Sequence, residues 1–143
     1  LLPHTTYSFN ASATNSAGTT IGMPQSFTTL WDWASWSAAR GLGGPADDVN
    51  HNGLPDLVDF ATGEAGPPTA AVGDGMLKFT YRRSLEAAGV ELELEVSDDL
   101  LSWGRATPSA TERSPDGGSG EFITVCIDAG LARRFTRLTV TTP

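Results

Sequence analysis

The sequence predicts a mainly β fold, an antiparallel β-sandwich with a short helix–loop–helix insert and a β-hairpin in front of it. Three observations predict this class. The 143 residues include 16 Gly and 9 Pro, which indicates many turns and favours strands over a helical bundle. The second half of the chain alternates apolar and polar residues, as half-buried strands do. Between the two β-like parts lies a polar loop with a helix-forming segment on either side.

These patterns divide the chain into three segments. Residues 1–30 are predicted to form a pair of strands, residues 31–64 the helix–loop–helix, and residues 65–143 the β-sandwich. A pair of strands cannot close a core alone, so the first segment is expected to belong to a larger unit or to pack on the later segments.

The first segment reads as two strands joined by a turn. Tyr7, Phe9 and Ala11 alternate with polar residues, which predicts a half-buried strand. Asn15–Gly18 has turn composition, and Ser26–Thr29 is predicted to form the second strand.

Two short helices are predicted in the middle segment. Trp31–Arg40 has the composition and spacing of a helix of two to three turns, and the glycine- and proline-rich residues 41–45 end it. Pro55–Thr62 is predicted to form the second helix, with proline at its first position and Gly63 just past its end.

The last segment is predicted to consist of strands. Apolar residues alternate with polar ones in two runs, Leu77, Phe79, Tyr81 and then Leu92, Leu94, Val96. The loop Ser84–Gly89 is predicted to join these two strands into an antiparallel hairpin. Further strands are expected at Phe122–Ile127 and Phe135–Thr141, and Thr111–Gly120 is predicted to be a flexible loop.

Charge and composition exclude several classes of partner. Lys and Arg total 9 against 17 Asp and Glu, a net charge of −8, which argues against nucleic acid and against a polybasic membrane contact. The sequence has no apolar run long enough to span a membrane, so no membrane insertion is expected. Cys126 is the single cysteine, so an intrachain disulfide is impossible and a buried free thiol is predicted.

The most informative stretch is the twelve-residue loop Asp48–Asp59, which has the spacing of a calcium-binding loop. Oxygen-bearing side chains occupy positions 1, 3, 5, 9 and 12, and Gly53 occupies position 6, where the chain must turn sharply. Calcium takes six to eight oxygen ligands, so this pattern predicts one Ca²⁺ site. The predicted ligands are the side chains of Asp48, Asn50, Asn52, Asp56 and Asp59 with the backbone carbonyl of Leu54.

Two details refine the calcium prediction. Pro55 lacks an N–H at position 8, where two paired EF-hand loops form a short strand bridge. A single, unpaired loop is therefore expected. Only three of the five side chains are anionic, which predicts a dissociation constant for Ca²⁺ of about 10⁻⁴–10⁻³ M, a range that suits extracellular modules. The alternative interpretation is an Asp/Asn/Gly-rich turn before a helix, since these residues favour turns anyway.

The loop's D-x-N-x-N-G-x-x-D-x-x-D pattern resembles those of EF-hand, dockerin and thrombospondin type 3 loops. Residues 2–7, 13–18 and 27–29 resemble the end of a fibronectin type III domain, which implies that residues 1–30 are its last strands. The order of tryptophan-bearing helix, Asp/Asn loop and later strands resembles the C-terminal module of large exported proteins of Verrucomicrobia and related bacteria. The chain starts without Met or a leader, so a piece of a longer exported protein is expected.

The resulting hypothesis is a non-catalytic, calcium-binding structural module, extracellular or on the cell surface, whose partners are other domains of its own chain. The alternative is an interaction module for a glycan or a cell-surface protein, with Trp31, Trp33 and Trp36 as the candidate contact residues. Core packing competes with that role for the tryptophans. The sequence lacks the G-x-S-x-G, H-E-x-x-H and phosphate-loop motifs, so no enzyme activity is expected.

Overall fold

The computed structural model describes residues 1–129 and 134–142, and it is mainly β with antiparallel sheets. Within these residues the elements are β1 (Thr6–Phe9), β2 (Ser12–Asn15), β3 (Gly18–Ile21), β4 (Gln25–Thr28), α1 (Trp33–Arg40), α2 (Asp56–Thr62), β5 (Thr69–Gly73), β6 (Met76–Ser84), β7 (Glu91–Ser97), β8 (Gly104–Arg105), β9 (Ala110–Pro115), β10 (Gly120–Asp128) and β11 (Phe135–Thr141). Neither described helix has the length and apolarity needed to cross a membrane.

The first segment is a long hairpin whose arms are each broken into two short strands. β1 pairs with β4 and β2 pairs with β3, and between the two pairs the Gly22 N–H donates to the Ala11 carbonyl at 2.7 Å. The Asn15 side chain accepts the Ala17 N–H at 2.8 Å, which fixes the turn. Almost every residue of these strands is exposed, so the hairpin has no core of its own and the prediction of a half-buried strand is wrong: Phe9 and Ala11 are exposed.

Both helices end at the glycines that the sequence predicts, but α1 begins at Trp33 rather than Trp31, because Asp32 has an extended backbone and caps the helix. Asp32 caps α1 by accepting the Ser35 N–H at 2.7 Å, and this hydrogen bond lowers the pKa of the Asp32 carboxyl. Gly41 and Gly63 end α1 and α2 in the left-handed conformation, with φ of 66° and 67°. The second helix begins at Asp56 rather than Pro55, because Pro55 has an extended ψ of 143° and occupies the capping position.

The later strands form two sheets, ordered β5-β6-β10-β9 and β11-β7-β8. The predicted hairpin between β6 and β7 is therefore wrong: β6 pairs with β5 and β10, and β7 pairs with β11 and β8. Alternation in a sequence defines the buried face of a strand but not its neighbour. The segment between them leaves the first sheet, where the Leu85 N–H donates to the Ser119 carbonyl, and carries the chain to the second.

The prediction of a flexible loop over Thr111–Gly120 is wrong for its first half. Residues Ala110–Pro115 form the edge strand β9, paired with β10 from Cys126↔Ala110 to Glu121↔Pro115. Every residue of β9 is exposed, so it lacks the apolar alternation by which buried strands are recognised.

One hydrophobic core joins the two larger sheets. Its buried members are Leu77, Phe79, Tyr81, Leu94, Ala106, Ile123, Val125 and Ile127, and Leu138 of β11 packs against them. The strands of both sheets contribute, which explains why β6 and β7 alternate alike although they do not pair. Cys126 is a buried free thiol, as predicted.

Candidate metal site

The loop predicted to bind calcium follows α1 and includes the first turn of α2, and backbone hydrogen bonds close it at its base. The Asp56 N–H donates to the Asp47 carbonyl at 2.6 Å, and the Leu57 N–H donates to the Pro45 carbonyl at 3.1 Å. The first turn of α2 is therefore attached to the residues that precede the loop, and the loop residues between them must form a compact turn.

Asp48 organises the turn from its first position. One carboxylate oxygen accepts the Asn52 N–H at 3.0 Å and the other accepts the Gly53 N–H at 2.9 Å. Gly53 has a φ of 85°, a conformation that favours glycine, which accords with its predicted place at the sharp reversal. Asn50 and Asn52 also accept backbone N–H groups, from Asn52 at 3.1 Å and from Leu54 at 2.8 Å.

Asp59 is the centre of the loop's side-chain contacts. It is 1% exposed, and the Asn50 Nδ2 donates to its Oδ2 at 2.9 Å. The Asn52 Nδ2 lies 3.0 Å from both carboxylate oxygens. The structure thus brings together the predicted ligands at positions 3, 5 and 12, with two amides directed at one buried carboxylate.

Asp56 has one carboxylate oxygen without a partner. Its side chain is 2% exposed, and Oδ1 accepts the Val49 N–H from the loop at 3.2 Å. Oδ2 is buried and has no hydrogen-bond partner among the described residues. Leaving a buried carboxylate oxygen unpaired costs about 1–3 kcal/mol, a cost that a bound water or cation would remove.

The candidate site depends on neutral oxygens as well as on carboxylates. Among residues 1–129 and 134–142, no three His, Cys, Asp or Glu side chains are grouped closely enough to hold a metal by themselves. Both Asp48 oxygens accept backbone N–H groups, and Leu54 is half-buried with its carbonyl on the loop. A cation here would need amide and carbonyl oxygens in addition to the aspartates, as hard cations accept.

No family model, curated protein or solved structure matches this chain. The resemblances to fibronectin type III domains and to calcium-loop modules therefore stay predictions that rest on the residues quoted for them.

The three candidate glycan-contact tryptophans do not share one exposed face. Trp36 is 6% exposed and packs against Phe60 at 5.2 Å between ring centroids, and Trp33 lies 5.7 Å from Trp36. Trp31 is half-buried and stacks on His4 at 3.8 Å. The cavity beside Trp31 and Trp36 measures about 120 Å³, below the roughly 300 Å³ at which small-molecule sites begin. This geometry favours packing over a sugar platform.

Arg82 holds the C-terminal end of α2, and no pattern in the sequence indicates this contact. Arg82 donates from Nη1 to the Thr62 carbonyl at 2.6 Å and from Nε to Asp116 Oδ2 at 2.7 Å. Gly63 and Gly120 lie so close to this guanidinium that a Cβ at either position would collide with it. Arg82 therefore joins the C-terminal end of α2 to β6 and to the β9–β10 turn.

Asp116 is expected to make the protein less stable in acid. Hydrogen bonding from the Gly118 N–H, with a further contribution from Arg82, lowers the pKa of the Asp116 carboxyl. A lowered folded-state pKa contributes stability that is fully present above the unfolded value of about 3.9 and is lost as pH falls through the folded value. Denaturant unfolding between pH 6 and pH 2 measures this loss.

Asp116→Asn tests that assignment, because it keeps the shape of the side chain and removes its titration. The variant is expected to be less stable than wild type at neutral pH and to lose less of its remaining stability on acidification. Asp74→Asn, in the exposed β5–β6 turn, serves as the control. Equal acid sensitivity in wild type and Asp116→Asn would contradict the role given to Asp116.

Proposed function

We propose that the chain binds one Ca²⁺ in the loop Asp48–Asp59 and acts as a non-catalytic structural module of a larger exported or cell-surface protein. The observation that carries the proposal is the buried, unpartnered Oδ2 of Asp56, at the ninth position of a loop whose spacing fits calcium. A turn that served only to reverse the chain would have no need of a buried carboxylate oxygen without a donor.

The residues of the loop fit a hard cation. Asp56 and Asp59 supply buried anionic oxygens, Asp48, Asn50 and Asn52 supply oxygens from the turn, and the carbonyl of Leu54 completes the predicted set. Ca²⁺ accepts such a mixture of carboxylate, amide and carbonyl oxygens, whereas softer transition metals prefer imidazole or thiolate. Three carboxylates would leave the loaded loop with a net charge near −1, which accords with modest affinity.

A cation at this position would stabilise the orientation of α2 relative to the rest of the module. The helix packs on β6 and β11, and Arg82 holds its C-terminal end. A cation in the loop would hold its N-terminal end. In this proposal the two larger sheets form a β-sandwich over their shared core, and Ca²⁺ fixes the angle between the strands before the loop and those after it.

The proposal also assigns residues 1–30 to the last strands of a fibronectin-like domain. The Leu2 N–H donates to the Tyr7 hydroxyl at 2.7 Å, a contact between tyrosine and upstream backbone comparable to the corner hydrogen bond of that family. Phe9 and Phe27 form an aromatic contact on the hairpin and stay 55% and 45% exposed. Further strands covering these rings would account for their exposure, and such strands would belong to the neighbouring domain of the same chain.

Calorimetric titration with Ca²⁺, together with melting curves in Ca²⁺ and in chelator, tests the calcium proposal. At 10 mM Ca²⁺ and the predicted affinity, binding should stabilise the folded chain by about 1.4–2.7 kcal/mol. That corresponds to a rise in Tm of roughly 3–10 °C for a chain of this size. If Ca²⁺ produces neither heat nor stabilisation, the loop is only a turn.

Asp56→Asn is expected to reduce the calcium-dependent rise in Tm, because one of the three ligand charges is lost, while changing the metal-free Tm little. The substitution removes a buried charge of which only one oxygen is hydrogen-bonded, which is favourable. It also removes a negative charge from the first turn of α2, which costs about 0.3–1 kcal/mol. Asp74→Asn, which makes the same change in a distant turn, should keep the full response to Ca²⁺. A normal calcium response in Asp56→Asn would show that the negative charge of Asp56 does not contribute to Ca²⁺ binding.

A further inference from the structure

Two side-chain amides lie beside the Asp59 carboxylate, which the proposed function assigns to the calcium shell. The Nδ2 atoms of Asn50 and Asn52 lie 2.9–3.0 Å from the Asp59 carboxylate, which is 1% exposed. These N–H donors compensate a buried negative charge that would otherwise destabilise the fold. The same two residues are predicted ligands, and a ligand must present its oxygen to the cation.

We propose that Asn50 and Asn52 hold the Asp59 carboxylate when the loop binds no calcium and release it to Ca²⁺ by rotating their amides. This inference rests on the proposed calcium function and adds how the site exists without the ion. Rotation about the Cβ–Cγ bond exchanges the amide NH₂ with the carbonyl oxygen, two groups of nearly equal size. The oxygens then face Asp59, an arrangement that is favourable only with a cation between them. The rotation also withdraws these oxygens from the Asn52 and Leu54 N–H groups, so the turn's backbone must shift as Ca²⁺ binds; Asp48 still accepts the Asn52 N–H.

The choice of asparagine over aspartate follows from this exchange. A carboxylate at position 3 or 5 would bind Ca²⁺ more tightly, because affinity rises with the number of charged ligands. Without calcium, that carboxylate would lose the N–H donors and repel Asp59 at close range. Asparagine therefore gives up affinity and in return keeps the loop folded at low calcium.

The loop also contains a matched position that does not face Asp59. His51 is exposed, lies between the two asparagines, and has a φ of 57°, a conformation that aspartate tolerates well. His51→Asp adds the same charge to the same turn as Asn50→Asp or Asn52→Asp, but its side chain has no contact with the buried carboxylate among the described residues.

The test compares Asn50→Asp, Asn52→Asp and His51→Asp with wild type by melting in chelator and by calcium titration. We expect Asn50→Asp and Asn52→Asp each to lower the metal-free Tm by about 3 °C or more. Each should also lower the dissociation constant for Ca²⁺ by about tenfold. His51→Asp should leave the metal-free Tm near that of wild type and change the dissociation constant by about twofold at most.

The side-chain amide signals of Asn50 and Asn52 in a ¹⁵N-labelled protein give a readout that a purely structural role would not move. In chelator the chemical shifts of these signals should indicate a hydrogen bond to a carboxylate. During a calcium titration the signals should shift in step with Ca²⁺ binding. Ca²⁺ binding without these shifts, or with an unchanged metal-free Tm in both Asn→Asp variants, would overturn the exchange alone. Wild type that binds no Ca²⁺ would overturn the proposed function and the exchange with it, even if the Asn→Asp variants melt lower.

Discussion

Phe60→Ala is expected to lower the free energy of unfolding by about 3–5 kcal/mol, the range for truncating a buried phenylalanine. Phe60 is 2% exposed and packs against Trp36 and Trp33, with ring centroids 5.2 and 5.9 Å apart. It is therefore the residue through which α2 is attached to α1. Its removal leaves a cavity that two large, inflexible aromatic rings cannot easily fill.

Urea unfolding monitored by tryptophan fluorescence measures this effect, because Trp36 reports directly on the packing around Phe60. Phe27→Ala is the control: the same substitution on the exposed hairpin should cost less than about 1 kcal/mol. A loss below about 1 kcal/mol for Phe60→Ala would show that the contact between the helices does not contribute to a cooperative core. A large loss should also weaken calcium binding, since Phe60 follows Asp59 directly in α2.

Features that depend on local interactions could be predicted from the sequence, and features that depend on distant interactions could not. The end of each helix depends on one glycine in a left-handed conformation, and Gly41 and Gly63 indicate it in the sequence. The turn at Gly53 is equally local. The prediction of strands from alternation was right for β6, β7, β10 and β11, because alternation follows from each strand having one buried face.

Strand partners were not predictable, because alternation carries no information about neighbours. β6 and β7 bury the same kind of residues and are adjacent in sequence, yet they belong to different sheets. β9 is exposed along its whole length and offers no pattern at all. The contacts of Arg82 were not predictable either, because its partners Thr62 and Asp116 lie 20 and 34 residues away in the sequence and nothing near Arg82 indicates them.

The sequence predicts which residues form the candidate site, but it does not predict how deeply they are buried or which groups they contact. Spacing predicts the six ligands, but only the packing of α2 buries Asp56 and Asp59 and leaves one Asp56 oxygen without a partner among the described residues. The direction of the two asparagine amides is likewise a consequence of that burial, since a carboxylate exposed to water would need no such donors.

Asp59→Ala is expected to abolish the calcium-dependent increase in Tm and also to destabilise the protein in chelator. Both effects follow from the position of the carboxylate. It would close the calcium shell from α2, and without calcium it accepts the amides of Asn50 and Asn52. Removing it deletes hydrogen bonds to a charged acceptor, which should cost the metal-free protein about 1.5–3 kcal/mol, although the exposed amides can then bond water. Melting curves with Ca²⁺ and with chelator separate the two effects.

Asp47→Ala provides the matched control for Asp59→Ala. Asp47 lies one residue before the loop, is exposed, and its side chain accepts the Gly44 N–H at 2.6 Å, so its removal deletes a nearby charge without touching the predicted ligands. It should keep the calcium-dependent increase in Tm. If Asp59→Ala keeps that increase as well, the calcium shell does not include α2, and Ca²⁺ cannot be what fixes this helix. If Asp59→Ala loses it and is no less stable in chelator, calcium binds as proposed and the two amides do not depend on Asp59.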